Sequence, residues 1–256
     1  MTVQLPNGSE FLHIPKTGGS WVTQVLQANN LAVRNVGNKH ADFDRNLYSD
    51  RLGFSARQLA KVGLKTGLRR IKKELGFAIR PTKSPFRFCF VRHPLSWYES
   101  WWKYMNGNSW ADWGTQNSLE DWHINSTLNG LGSPDFNTFV RNVIRARPGY
   151  VSELYFAFAK PGISFIGKTE TLKADLESVL RHLELPYDPE SLDSPRANQS
   201  APPSEEIIWD SELRRLATLL ELPAIVHFGY LDAESSDLIG DSLQLEANPA
   251  LHSLNS

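Results

Sequence analysis

The clearest pattern in the chain is a series of short apolar runs, each followed by a stretch whose apolar residues sit three and four apart. Glu10–Ile14 (EFLHI) is short and apolar and stops at Pro15, which predicts a strand. Ser20–Ala28 places Trp21, Val22, Val25 and Leu26 on one side, as an amphipathic helix does. Leu31–Val36 alternates and predicts a second strand. Ser55–Leu75 carries many Lys and Arg with apolar residues at helical spacing, which predicts one or two exposed helices interrupted near Gly63 and Gly67. Phe86–Val91 (FRFCFV) is the strongest strand pattern in the chain. Pro94 follows it, and Pro is favoured in a helix's first turn, so Leu95–Met105 predicts a helix.

Asn106–Pro134, rich in Gly, Asn, Ser and Trp, predicts a long irregular loop. A helix over Phe136–Ala146, a strand over Ile163–Gly167 and a helix over Leu172–Leu183 come next. Ser191–Pro203 is rich in Pro and Ser and predicts a loop, and Ser204–Leu222 predicts the last helix. Residues 1–233 are expected to form one domain, and the polar tail 234–256 to be partly disordered. Strands alternating with helices predict an α/β fold, a central parallel sheet with helices on both faces. In such sheets ligands bind outside the carboxyl ends of the strands.

Composition adds bounds. A chain of 256 residues, 41% hydrophobic and 21% charged, has the make-up of an ordinary folded protein. Formal net charge is −1, so nothing global suggests nucleic acid, and any anion site must be local. The single cysteine, Cys89, lies in the strongest strand and is expected to be a buried thiol. The first residues lack a charged region followed by a long apolar one, and no apolar run approaches the roughly 20 residues that cross a bilayer. The expectation is a cytoplasmic protein without membrane segments.

Two constellations carry candidate chemistry. The first is Phe11-Leu-His-Ile-Pro-Lys-Thr-Gly-Gly-Ser-Trp21. Gly18 and Gly19 permit backbone angles that let successive N–H groups curl into a concave nest. A helix starting near Ser20 points unpaired N–H groups and its positive end into the same space. Lys16 adds a full charge, and Thr17 and Ser20 add hydroxyls, which makes a cradle for phosphate or sulfate. A Walker loop places its lysine after the glycines, and here the lysine precedes them. A turn that uses its glycines merely to bend is the plainer alternative. The second constellation is Phe88-Cys-Phe-Val-Arg-His-Pro-Leu-Ser-Trp-Tyr-Glu-Ser100. Arg92 stands where a strand ends, and its planar fork of donors matches a phosphate. Ser100 lies about two turns into the next helix. Alone, such an arginine is as readily an edge salt bridge, and such a serine as readily faces solvent.

Together, HIPKTGGSW (13–21) and FVRHPLSWYES (90–100) resemble the two nucleotide-binding motifs of the sulfotransferases that use 3′-phosphoadenosine 5′-phosphosulfate (PAPS). The resemblance implies a P-loop nucleotide-kinase-like fold. It implies that Lys16, Thr17, Gly18, Gly19, Ser20 and Trp21 form the 5′-phosphosulfate loop, with Arg92 and Ser100 on the 3′-phosphate. Fainter likeness at Phe165–Leu176 and Phe228-Gly-Tyr230 is to soluble bacterial and carbohydrate-acting members. Arg196 and Asn198 fall where relatives carry a loop that closes over the cosubstrate. The implied activity is sulfuryl transfer to a hydroxyl or amine of a carbohydrate or small metabolite, without a metal. His40 follows the second expected strand, in a region from which relatives draw a general base, and is expected to be that base; simple exposure is its plainer reading. His93 is expected to cap a helix and His13 to be core. Glu170 is either a base or a cap for the following helix. Trp97 and Trp101, at i and i+4, are expected to pack in a core, while Trp110, Trp113 and Trp122 either floor an acceptor or pack as a lid. A kinase-like phosphotransferase and a non-catalytic nucleotide-binding protein are the alternative readings.

Overall fold

The apolar runs do build a sheet, but not a parallel one. A computed structural model of the chain describes residues 2–36, 85–107, 123–195 and 207–232. His40, Arg196, Asn198, Trp110, Trp113, Trp122, the Ser55–Leu75 helices and the tail 234–256 lie outside the described residues. The fold is α/β and divides into two compact units: Met1–Phe90 with Trp122–Ile124 and Ala157–Ala197, and Val91–Asp121 with Asn125–Phe156 and Asn198–Ser256.

The first unit holds a five-stranded sheet of β1 (Thr2–Gln4), β2 (Glu10–Leu12), β3 (Arg34–Val36), β4 (Arg87–Val91, its last residue counted in the second unit) and β5 (Phe165–Lys168). The order is β3-β1-β2-β4-β5. β2 and β4 are parallel, whereas β1 runs antiparallel to both β2 and β3, so the sheet is mixed and the expected all-parallel sheet is corrected. The reason is a hairpin. Leu5 donates its N–H to the Ser9 carbonyl at 2.8 Å, Asn7 Oδ1 accepts the Ser9 N–H at 3.0 Å, and Gly8 takes φ 85° in the turn. So short a connection can only return the chain antiparallel. With three residues, β1 is too short for its alternation to be visible in the sequence.

In-register pairing sets the core. Phe11 stands opposite Phe88, with their rings 5.3 Å apart, and Phe90 lies two residues on, edge-on to Phe88 at 6.1 Å. Val3, opposite Phe11, completes the same face. α1 (Gly19–Ala28) brings Trp21, Val22, Val25 and Leu26 into this cluster. α5 (Leu172–His182) brings Leu172, Leu176, Val179 and Leu180. Each such side chain, fully buried, contributes about 1.5–3 kcal/mol. The alternate residues Leu12 and Cys89 are buried as well, so the central strands are covered on both faces. Glu10 and Arg87, also in register, are joined at 2.6 Å with both side chains mostly buried.

The second unit is helical: α2 (Pro94–Gly107), α3 (Phe136–Ala146), most of α4 (Tyr150–Phe158), α6 (Ser211–Leu220) and α7 (Leu222–His227). α4 was not expected, although Tyr150, Val151, Leu154, Tyr155 and Phe158 repeat at helical spacing and are all buried. The single helix expected over Ser204–Leu222 starts only at Ser211, where Asp210 caps it by accepting the Leu213 N–H at 2.9 Å. It breaks at Glu221, because Pro223 opens the next helix and has no N–H to continue the old one. The expected loop over Asn106–Pro134 contains a short 3-10 helix at Ile124–Leu128, and α2 runs on to Gly107. Trp97 and Trp101 stack with their planes 6° apart and are buried, which is the core reading.

One carboxylate organises this unit. Glu221 is fully buried and accepts from Tyr98 Oη (2.7 Å), from the Val151 and Ser152 N–H groups (3.0 and 2.7 Å) and from Ser152 Oγ (2.7 Å). A buried charge is tolerable only when so surrounded by donors. Two of the donors belong to the first turn of α4, whose positive end favours an anion. Burial, then the Glu221 charge, pushes the Tyr98 phenol well above its ordinary range.

Cys89 is fully buried, and burial pushes its thiol up from 9.0 to about 12. The folded chain therefore holds the thiol neutral; the associated stability is complete below about pH 9 and is lost as pH rises through about 12. The native protein is expected to resist a thiol reagent at about pH 8 and to react fully in guanidinium chloride. Rapid labelling of the native chain would show that β4 is not packed in this way.

Candidate functional site

The first constellation lies wholly in the first unit. β2 ends at Leu12, and the chain turns through Pro15–Gly18 into α1. Lys16 has φ 66° and Gly18 has φ 81°, while Thr17 between them is not left-handed. This alternation in the sign of φ turns successive N–H groups toward one side. A left-handed lysine costs energy, and such strain gathers at functional sites. Gly18 is the N-cap residue of α1 and makes no side-chain cap, and the Gly19 and Ser20 N–H groups have no acceptor one turn back within the helix. Gly18 accepts from Trp21 and Val22, which closes the first helical turn behind those donors.

Both glycines are required by their neighbours. A Cβ on Gly18 would stand 2.5 Å from a Leu172 methyl carbon. A Cβ on Gly19 would stand 2.0 Å from Cδ2 of His13. His13 is buried, as expected, and its ring lies parallel to that of Phe11 at 6.1 Å. Its packing against Gly19 was not foreseen. The β5–α5 turn that carries Leu172 is tied by Asp175, whose Oδ2 accepts from the Lys168 N–H and from Thr171 Oγ1, both at 2.7 Å. Asp175 thus braces the turn, and Glu170 is exposed.

The side chains of the loop divide into two sets. Lys16 and Ser20 are half-buried. Thr17 is buried and donates its hydroxyl proton to the Ile14 carbonyl at 3.0 Å, so its side chain staples the loop. Trp21 is buried in the apolar cluster and gives its indole N–H to the Ser194 carbonyl at 3.0 Å. Its indole anchors the chain at Ser194 and faces the core. The loop therefore carries one ammonium and one half-buried hydroxyl beside the first N–H groups of α1.

The second constellation lies in the second unit. Arg92 directly follows the last residue of β4 and is half-buried. No ion pair among the described residues joins its guanidinium to a carboxylate, which removes the edge salt bridge among them. Its backbone is held at both polar atoms by one side chain: Tyr155 Oη accepts the Arg92 N–H at 3.2 Å and donates to the Arg92 carbonyl at 2.8 Å. Ser100 is half-buried in the second turn of α2. His93 meets Tyr230 edge-on at 5.3 Å, and its carbonyl accepts the Trp97 N–H at 3.0 Å. Tyr155 escaped the sequence reading with α4 itself. Trp102 and Trp209 are also structural, giving their indole N–H groups to the Ser133 carbonyl and to Glu99.

Among the described residues no group of three or more His, Cys, Asp or Glu could hold a metal ion. No helix among them is long and apolar enough to cross a membrane. Comparison with protein-family models, with curated proteins and with solved structures returned no match.

The contact between His13 and Gly19 makes a measurable coupling. Gly19→Ala is expected to destabilise the chain by about 1–3 kcal/mol, the usual range for overpacking. In a His13→Ala background the same change is expected to cost far less, giving a non-additive double-mutant cycle in urea unfolding. Strictly additive effects would mean that the imidazole does not exclude a side chain at Gly19.

Proposed function

We propose that this chain is a sulfotransferase, moving a sulfuryl group from PAPS to a hydroxyl or amine of a carbohydrate or small-metabolite acceptor. The observation that carries the reading is the Lys16–Ser20 turn. Left-handed angles at Lys16 and Gly18, the open helix end at Gly19 and Ser20 and a half-buried lysine form an anion cradle. The cradle sits in a sequence that resembles the 5′-phosphosulfate loop of that superfamily. Arg92 directly follows β4 with a half-buried side chain, and this reading assigns it, with Ser100, to the 3′-phosphate. In this reading the P-loop nucleotide-kinase-like relationship is one of motif order and strand-turn-helix geometry.

The chemistry asked of these residues is electrostatic. In an in-line transfer, charge builds on the oxygen that leaves with the phosphate. Lys16 and the Gly19 and Ser20 N–H groups supply positive charge and donors there, fixed in place before the reaction. A sulfuryl group carries less charge than a phosphoryl group, so this reading asks for no metal. On their sequence positions, His40 is assigned as the general base for a hydroxyl acceptor and Arg196 to nucleotide binding. An unperturbed imidazole titrates at about 6.5 and accepts a proton near neutrality.

Turnover of PAPS against a panel of hydroxyl and amine acceptors tests the reading. Lys16→Ala is expected to lower transfer by about 100- to 1,000-fold, the usual effect of removing one donor to developing charge. Because Lys16 is half-buried, the variant is expected to keep its circular dichroism spectrum and its unfolding midpoint. Wild-type turnover in Lys16→Ala would overturn the assignment of this loop, and no turnover with any acceptor would favour the non-catalytic binding reading.

A further inference from the structure

We infer that Tyr155 is a positioning residue that sets the preference for a 3′-phosphate by holding the Arg92 backbone. The inference rests on the reading above and deepens it. Arg92 is the first residue past β4, where the strand ladder no longer supplies partners. Both of its backbone polar groups are instead taken by one phenol, which accepts from the N–H at 3.2 Å and donates to the carbonyl at 2.8 Å. An exchange of that kind fixes the peptide on both sides of the Arg92 Cα, and so fixes the direction in which its side chain leaves the chain.

The phenol is itself rigid. Tyr155 is fully buried in α4, and Phe228 packs edge-on against its ring at 5.7 Å. The first turn of α4 is held by the Glu221 carboxylate through Val151 and Ser152. Arg92 thus has a fixed origin and a half-buried side chain. A bidentate grip on a phosphate depends on such an origin, because two parallel N–H···O bonds tolerate little angular error. Without the hydroxyl, the Arg92 peptide is free to rotate, and the guanidinium keeps its charge but loses its aim. The effect falls on the group that Arg92 grips and spares the rest of the nucleotide.

The test compares 3′-phosphoadenosine 5′-phosphate with adenosine 5′-monophosphate, which differ only in the 3′-phosphate, by calorimetry on the full chain. The readout is the ratio of the two affinities, which a general loss of folded protein leaves unchanged. Wild type is expected to prefer the 3′-phosphorylated nucleotide and Arg92→Ala to lose that preference. Tyr155→Phe is expected to lower the ratio by about tenfold, the scale of one hydrogen-bonding group, with adenosine 5′-monophosphate affinity nearly unchanged. If Tyr155→Phe does not fold, 4-fluorophenylalanine at position 155 fills the hydroxyl's volume without its proton, and the same ratio decides. A ratio kept in the Tyr155 variant but lost in Arg92→Ala overturns this inference alone. A wild-type protein with no preference overturns it together with the reading on which it rests.

Discussion

Neither glycine of the turn between β2 and α1 has room for a side chain, and the geometry of that turn follows from this. Gly18 lies under a Leu172 methyl, and Gly19 lies under the His13 imidazole. The backbone between β2 and α1 therefore packs closely against the Leu172 and His13 side chains. Gly18 takes φ 81° there, as the N-cap residue of α1. The same contacts connect the site to the core. Leu172 and Trp21 both belong to the cluster built on Phe11, Phe88 and Phe90. Rigidity at the loop is thus drawn from apolar burial in the sheet, where each large side chain contributes about 1.5–3 kcal/mol.

In the second unit the organising interactions are polar groups set within aromatic packing. Trp97, Tyr98, Trp101 and Tyr155 are fully or nearly fully buried, and the tyrosine hydroxyls among them need partners there. Tyr98 finds Glu221, and Tyr155 finds the backbone of Arg92. An unpartnered hydroxyl or carboxylate at such depth costs several kcal/mol, so these bonds select one arrangement of α2, α4, α6 and α7. The arginine at the end of β4 inherits its position from that arrangement.

Strand-turn-helix order around both constellations was legible because its signals are local. Pro15 and the glycine pair mark the turn after β2, Trp21 to Leu26 repeat at helical spacing, and Pro94 opens α2. The antiparallel β1 was not legible, since three residues carry no period and pairing is decided by partners far along the chain. The helix α4 was legible in principle, but its apolar positions are nearly continuous, and a buried helix of nine residues reads much like a strand. The residues that brace the site were out of reach for a different reason. His13 against Gly19 is a contact across a turn, and Tyr155 against Arg92 spans 63 positions, and neither contact leaves a spacing rule in the sequence. Trp21 and Thr17 show the converse. Both lie inside a recognisable motif, yet their side chains serve the core and the loop's own closure.

The central proposal is that this chain binds a nucleotide carrying both a 5′- and a 3′-anion. Calorimetric titration of the full chain with 3′-phosphoadenosine 5′-phosphate, set beside ATP with magnesium, tests it most directly. The account predicts saturable binding of the first, with or without magnesium, and much weaker binding of the second. Tighter binding of ATP that requires magnesium, or heat from neither nucleotide, would contradict it.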